Sequence, residues 1–226
     1  MRAFAEGAPL RVVNFHATPA RRAADYDWQL AELAERFAPC GEEDLLDFLR
    51  TSAWPGRPGV VVALYNGYRD NFDVMRPLLE RHGLVGWFFA VTGWTDCDPG
   101  GQAAFAQAHG IGLVEGDCPD GRLALSWQEL RALDRAGHVV ASHTRSHSRV
   151  SDLDAIEEEI VGSQEDFARG LGHPVRAFAW LMGAPFGENP LADAAVKRAG
   201  YELLFSNLRV QRLPGARRRQ GALLRP

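Results

Sequence analysis

The sequence predicts an α/β protein built on a parallel sheet covered on both faces, open or closed into a barrel. Three observations carry this expectation. Short apolar runs alternate with amphipathic helical stretches along the chain. The runs are continuous and rich in β-branched or aromatic residues, as strands buried on both faces are. The 226 residues, 46% of them hydrophobic, suffice for one domain with a sizeable core, and neither a linker nor a repeat divides 1–226.

The strands expected, in order, are "RVVNF" (11–15), "VVVALY" (60–65), "VGWFFAV" (85–91), "HVVASH" (138–143), "AFAWL" (177–181) and "ELLFS" (202–206). Between the first two, Leu30, Leu33 and Phe37 share one face of a helix over 27–38. After the third, the Gly- and Asp-rich segment 95–122 breaks the rhythm and reads as an excursion over one end of the sheet. Ser126 is placed to cap a helix over 126–136 that buries Trp127 and Leu130. Over 152–171, Leu153, Ile156, Ile160, Phe167 and Leu171 recur at helical spacing, with Glu157, Glu158 and Glu159 assigned to the solvated sides.

Composition narrows the function classes. The longest apolar runs fall well short of the ~20 residues that span a membrane. The first residues lack the apolar stretch of a secretory signal, so a cytoplasmic location is expected. Three cysteines without CxxC spacing fit a reducing compartment. A net charge of −4 gives no pull toward nucleic acid, and the terminal "ARRRQGALLRP", without aromatics, reads as a solvated end.

Two stretches carry the chemistry. "VVVALYNGYRDNF" is a buried strand ending in Tyr65-Asn66-Gly67, at the kind of strand end where α/β proteins place their sites. Tyr and Asn, however, are poor at taking protons or holding a cation. "SHTRSHS" sets His143 and His147 four apart directly after a buried strand. On a helical turn that spacing puts both imidazoles on one face, within reach of one cation. Pairs so spaced also occur on solvated helices; the preceding strand favours the metal. The hydroxyls of Thr144 and Ser146 can fix the rings or satisfy the turn.

These stretches, with "GWFFAVTG", "LSWQELRALDRAGHVVASHTRSHSRVSDL", "VRAFAWLMGAPFG" and "AVKRAGYELLFS", resemble the polysaccharide deacetylases of the NodB-homology group (carbohydrate esterase family 4) from about Val12 to Ser206. The resemblance implies a distorted (β/α)7-type barrel and removal of N-acetyl, or sometimes O-acetyl, groups from a sugar with one divalent cation, zinc first. It implies a carbohydrate partner, lipid-linked or polymeric, and no nucleic acid or membrane span. It matches His143 and His147 to the family's metal histidines. Tyr65 stands where the family has its catalytic base, and Asn66 where it has the carboxylate ligand. A phenol of reference pKa ~10 is poorly matched to the task of a base at neutral pH. A carboxamide can coordinate, but without charge.

Arg176 is matched to the arginine that orients the base. In the third motif the family's Tyr falls on Trp180 or Met182 and its Pro on Leu181, or, in another register, the pair falls on Pro185 and Phe186. The family's late histidine, its general acid, has no counterpart after His173. Asp70 and Asp73 could approach the cation but read more naturally as helix-start residues. His16, after the first strand, is a pocket or turn residue, and Trp94 and Trp180 are the candidate sugar contacts. His82, His109, His138 and His173 read as solvated. The chain is thus expected to be an impaired deacetylase or an inactive relative that keeps its cleft for carbohydrate binding or regulation. A weaker third reading has Tyr65 as a proton donor in altered sugar chemistry.

Overall fold

The computed structural model describes residues 9–114, 121–151 and 155–213. Cys118, Leu153 and the arginine-rich C-terminal stretch lie outside the described residues. The strands are β1 (Leu10–Phe15), β2 (Ala38–Pro39), β3 (Gly59–Leu64), β4 (Gly86–Ala90), β5 (Val139–Ser142), β6 (Ala177–Ala179), β7 (Leu203–Phe205) and β8 (Val210–Arg212). They form one sheet in the order β1-β3-β4-β5-β6-β7-β8, with β2 beside the start of β3. Every pairing is parallel except β7 with β8. The helices are α1 (Ala23–Arg36), α2 (Glu42–Thr51), α3 (Arg76–Arg81), α4 (Thr92–Asp96), α5 (Gln102–Ala108), α6 (Trp127–Arg135), α7 (Ser163–Leu171) and α8 (Pro190–Arg198). The sheet curls into a half-barrel, in keeping with the distorted α/β barrel expected.

Two-residue periodicity sorts each strand between two cores. Val61, Ala63, Trp87, Phe89, Val139, Ala141, Ala177, Ala179, Leu203 and Phe205 pack on the concave side, where α2 adds Leu45 and Leu46. Their neighbours Val60, Val62, Leu64, Phe88, Val140, Phe178 and Leu204 pack outward against Leu30 of α1, Leu79 of α3, Leu130 and Leu133 of α6 and Phe167 of α7. Continuing the inward register one step past each strand puts Tyr65 after Ala63 and His143 after Ala141, at the mouth of the barrel.

The expected strands are all present within two residues of their expected ends. Ser126 caps α6 as expected, in a reciprocal pair with Glu129, and each accepts a hydrogen bond from the other's backbone. Helix α2 was not expected. Before α7 lies a π-helical turn, Glu158–Gly162, and it corrects one assignment: Glu159 is only 5% exposed and faces inward. His138 is likewise buried, accepting the Gly86 N–H through Nδ1.

Candidate metal centre

A cavity of about 640 Å³ opens at the C-terminal ends of the strands. His16, Tyr65, Asn66, Tyr68, His143, His147 and the run from Ala179 to Gly183 line it. The structure therefore brings together five of the residues singled out in the sequence, plus Trp180 on one wall. The chain around the cavity takes unusual conformations. Of the five non-glycine residues with left-handed backbone among the described residues, four are Asn66, Thr144, His147 and Met182. Each such conformation costs on the order of 1–3 kcal/mol, and such residues cluster at functional sites.

The two histidines do not sit on a helical turn as expected. They lie in a loop whose reversals at Thr144 (φ 69°) and His147 (φ 61°) bring the rings to 5.2 Å between centroids. Each ring is locked from behind. His143 Nδ1 donates to the Ala179 carbonyl at 2.9 Å, and His147 Nδ1 donates to the His109 carbonyl at 2.8 Å. Those bonds fix the tautomer and, among the described residues, leave both Nε2 lone pairs free. Burial, reinforced by the neighbouring His147, pulls the His143 pKa down to about 3, and burial also lowers those of His147 and His16. At neutral pH the pair is a set of neutral nitrogen donors.

Asn66 lines the same cavity and brings an amide oxygen to it. The Tyr68 hydroxyl spends its proton on the Gly112 carbonyl at 2.7 Å, so toward Asn66 it can only accept. This sets Asn66 Nδ2 toward Tyr68, at 3.4 Å, and leaves Oδ1 as a buried acceptor with no hydrogen-bond partner among the described residues. An orphaned carbonyl oxygen costs about 1–3 kcal/mol unless something meets it. The donor set, two imidazoles and one amide oxygen, fits a borderline divalent cation and lacks the charge of a carboxylate ligand. Among the described residues no three His, Cys, Asp or Glu side chains gather to hold a metal without it.

Tyr65 is wedged between Phe89, stacked at 4.7 Å, and His16 at 5.7 Å, with its ring edge on His143. Burial raises its pKa above the usual phenol range, so it keeps its proton at neutral pH.

Several expected site residues lie elsewhere. Arg176 precedes β6 and so sits at the opposite end of the barrel, paired with Glu202, Glu42 and Glu43; it does not orient a group at position 65. Trp94 is fully buried under α5, donating to the Gln102 carbonyl, and offers no face to a sugar. Trp180 lines the cleft but is 3% exposed, packed edge-on against Phe178. Asp70 accepts from Thr18 and Asn71, and Asp73 pairs with Arg69, both away from the cavity. Phe186 lies under Lys197, and the residues of the third motif that line the cleft are those from Ala179 to Gly183.

What the sequence reading missed is the bracing. The excursion after β4 delivers the carbonyls of His109 and Gly112 to His147 and Tyr68. Met182, 66% exposed, and Leu113, 43% exposed, form an apolar rim.

Comparison with known proteins agrees with this fold. The family model described as polysaccharide deacetylase matches residues 55–204. Among solved structures, the fold is similar to a Streptococcus pyogenes deacetylase, PplD, in complex with acetate (15% identity, 86% of this chain and 80% of that one, TM-score 0.64). A de-N-acetylase from Aggregatibacter actinomycetemcomitans matches at 14% identity over 92% of both chains, with a TM-score of 0.67. IcaB from Ammonifex degensii matches at 18% identity over 92% of this chain and 87% of that one, with a TM-score of 0.68. No curated protein matches by sequence.

Proposed function

The chain belongs to the polysaccharide deacetylase family, and on that premise we propose that it is a slow, metal-dependent deacetylase of an N-acetylated or O-acetylated sugar. The observation that carries the reading is the Oδ1 of Asn66, orphaned among the described residues, which lines the same cavity as two imidazoles bonded there only through Nδ1. His143, His147 and Asn66 would hold one divalent cation, zinc first. When bound, it supplies Lewis-acid polarisation of an acetyl carbonyl and makes water more acidic.

The remaining steps fall to this chain's own side chains. Tyr65 occupies the base position, but its hydroxyl keeps its proton, so it can donate a hydrogen bond and cannot take up a proton. His16, neutral at pH 7 and lining the same cavity, is a side chain outside the proposed ligand set that can accept one. Loss of a well-placed base costs about 10²–10⁴-fold in rate, hence a slow enzyme. Acetate release from N-acetylated and O-acetylated oligosaccharides, with and without chelator, tests this. Slow release that chelation abolishes is expected; release that ignores chelation would overturn the metal-dependent reading.

The packing of Tyr65 favours a second reading. With Phe89 and His16 both stacked against its ring, Tyr65 acts as a fixed wall, which suits a cleft that binds carbohydrate without turnover. Substrate-like oligosaccharides that bind with no acetate released at any metal loading would select it.

A further inference from the structure

We propose that Glu159 is the positioning residue of this centre: its buried carboxylate sets the geometry of His147 by clamping the loop between the two histidines. The proposal rests on the reading of His147 as a metal ligand.

The loop has a conformational problem to solve. Two of its residues, Thr144 and His147, are not glycine yet hold positive φ, and an isolated segment would relax out of both. Glu159 supplies the restraint. One carboxylate oxygen accepts the backbone N–H groups of Arg145 at 3.1 Å and Ser146 at 2.8 Å. The other accepts the Ser146 hydroxyl. The two adjacent N–H groups on one oxygen fix the orientation of successive peptide planes between the reversals, and so the direction in which His147 leaves the backbone.

The rest of the loop is tied to match. Thr92 and Gly93 N–H groups bond the carbonyls of Thr144 and Arg145, and the Ser148 N–H bonds the Thr144 hydroxyl. The Arg145 side chain runs to Asp166, which is fully buried and also held by Thr92 and Arg169. Two glycines make the approach possible. A Cβ on Gly93 would stand 2.7 Å from the Arg145 carbonyl, and one on Gly162 would stand 3.0 Å from the Arg145 guanidinium. Glu159 itself stays out of the cavity, so it acts through the loop and touches no ligand.

The requirement is reach and acceptor capacity more than charge, and three substitutions separate these. Glu159→Gln keeps reach, because one amide oxygen can accept both N–H groups while the Ser146 hydroxyl turns to accept. Glu159→Asp keeps charge and loses a methylene of reach. Glu159→Ala loses both. Partners behind a metal-binding histidine typically change metal affinity 10–100-fold. Cobalt(II) titration of the full chain is expected to show a 10–100-fold loss for Glu159→Ala, a smaller loss for Glu159→Asp, and less than about 3-fold for Glu159→Gln.

A metal-free readout runs beside it. In imidazole ¹⁵N spectra the wild type is expected to show His143 and His147 both as single Nδ1–H tautomers, and Glu159→Ala should average the His147 signals while leaving those of His143 intact. If the wild type binds no cobalt, the deacetylase reading fails, and the spectra still decide the role of Glu159. Unchanged His147 signals in Glu159→Ala, or in Glu159→Asp should the alanine variant not fold, would overturn the proposal. So would equal losses of affinity in the Gln and Ala variants.

Discussion

The strand end carrying His143 and the strand end carrying Tyr65 face each other across one cleft, with their rings 5.2 Å apart, and they are held in different ways. His143 and His147 each have one nitrogen bonded to a carbonyl behind the ring and the other left free. That is how a side chain is held when its remaining lone pair has a job. Tyr65 is held by ring packing alone, between Phe89 and His16. Asn66 stands between these styles: its Nδ2 is anchored to Tyr68 while its Oδ1 has no hydrogen-bond partner among the described residues. One wall presents two imidazoles braced by backbone carbonyls, and the other presents a stacked phenol ring. On the proposed reading, coordination and turnover are separable here: His143, His147 and Asn66 would serve the first, and no carboxylate stands at position 65 to serve the second.

Rebuilding the weak wall should have the largest effect. Tyr65→Asp combined with Asn66→Asp returns a carboxylate base and an anionic ligand, and acetate release should rise by about 10²-fold or more. A double variant that binds one metal per chain and remains inert would show that the histidine wall is not aligned for hydrolysis either.

The two walls should also fail at opposite ends of the pH scale. His143 has a folded pKa of about 3 against an ordinary value of 6.5. The unfolded chain therefore binds the proton first, and stability of the metal-free protein should fall as pH drops below about 6.5. The loss is up to about 1.4 kcal/mol per pH unit for this one group, with His147 and His138 adding in the same direction. Tyr65 behaves inversely. Its pKa is raised by burial, so the unfolded chain ionises first and stability falls as pH rises above about 10. Denaturant titrations across pH read both limbs. His143→Phe should flatten the acid limb and Tyr65→Phe the alkaline one, and a limb that ignores its variant would refute the assignment.

Smaller effects are expected where sequence candidates turned out to lie outside the cleft. Trp94→Phe leaves the Gln102 carbonyl without its donor and should cost about 1–3 kcal/mol in stability, with carbohydrate affinity unchanged. Arg176→Ala, at the far end of the barrel, should cost about 1 kcal/mol and leave metal binding untouched. Calorimetric unfolding alongside metal titration checks both.

These two misplacements show what was legible in the sequence. The strands were, because their apolar runs are continuous, and so was the inward aim of residues 65 and 143, which continue the alternation of Val61-Ala63 and Val139-Ala141. Strand polarity would also have placed Arg176, since it precedes β6 while the cleft follows it; matching a motif alone hid this. Trp94 was not legible, because α4 starts immediately after β4 and turns the indole beneath α5. Glu159 was legible and overlooked. It lies three residues after Ile156 and four before Ser163, on the face that buries Ile160 and Phe167, and a carboxylate at that spacing needs a partner inside. The carbonyls that lock the histidine rings come from backbone at Ala179 and His109, whose identities carry no trace of that role.

The most direct test of the central claim is stoichiometric metal content after zinc loading and dialysis, in the wild type, His143→Ala and Asn66→Leu. The account predicts one zinc per wild-type chain, none in His143→Ala, and at least about 10-fold weaker binding in Asn66→Leu, where an isosteric apolar group removes the orphaned oxygen. A wild-type chain that holds no zinc, or an Asn66→Leu variant that holds it as tightly as the wild type, would contradict the assignment of His143, His147 and Asn66 as one metal centre.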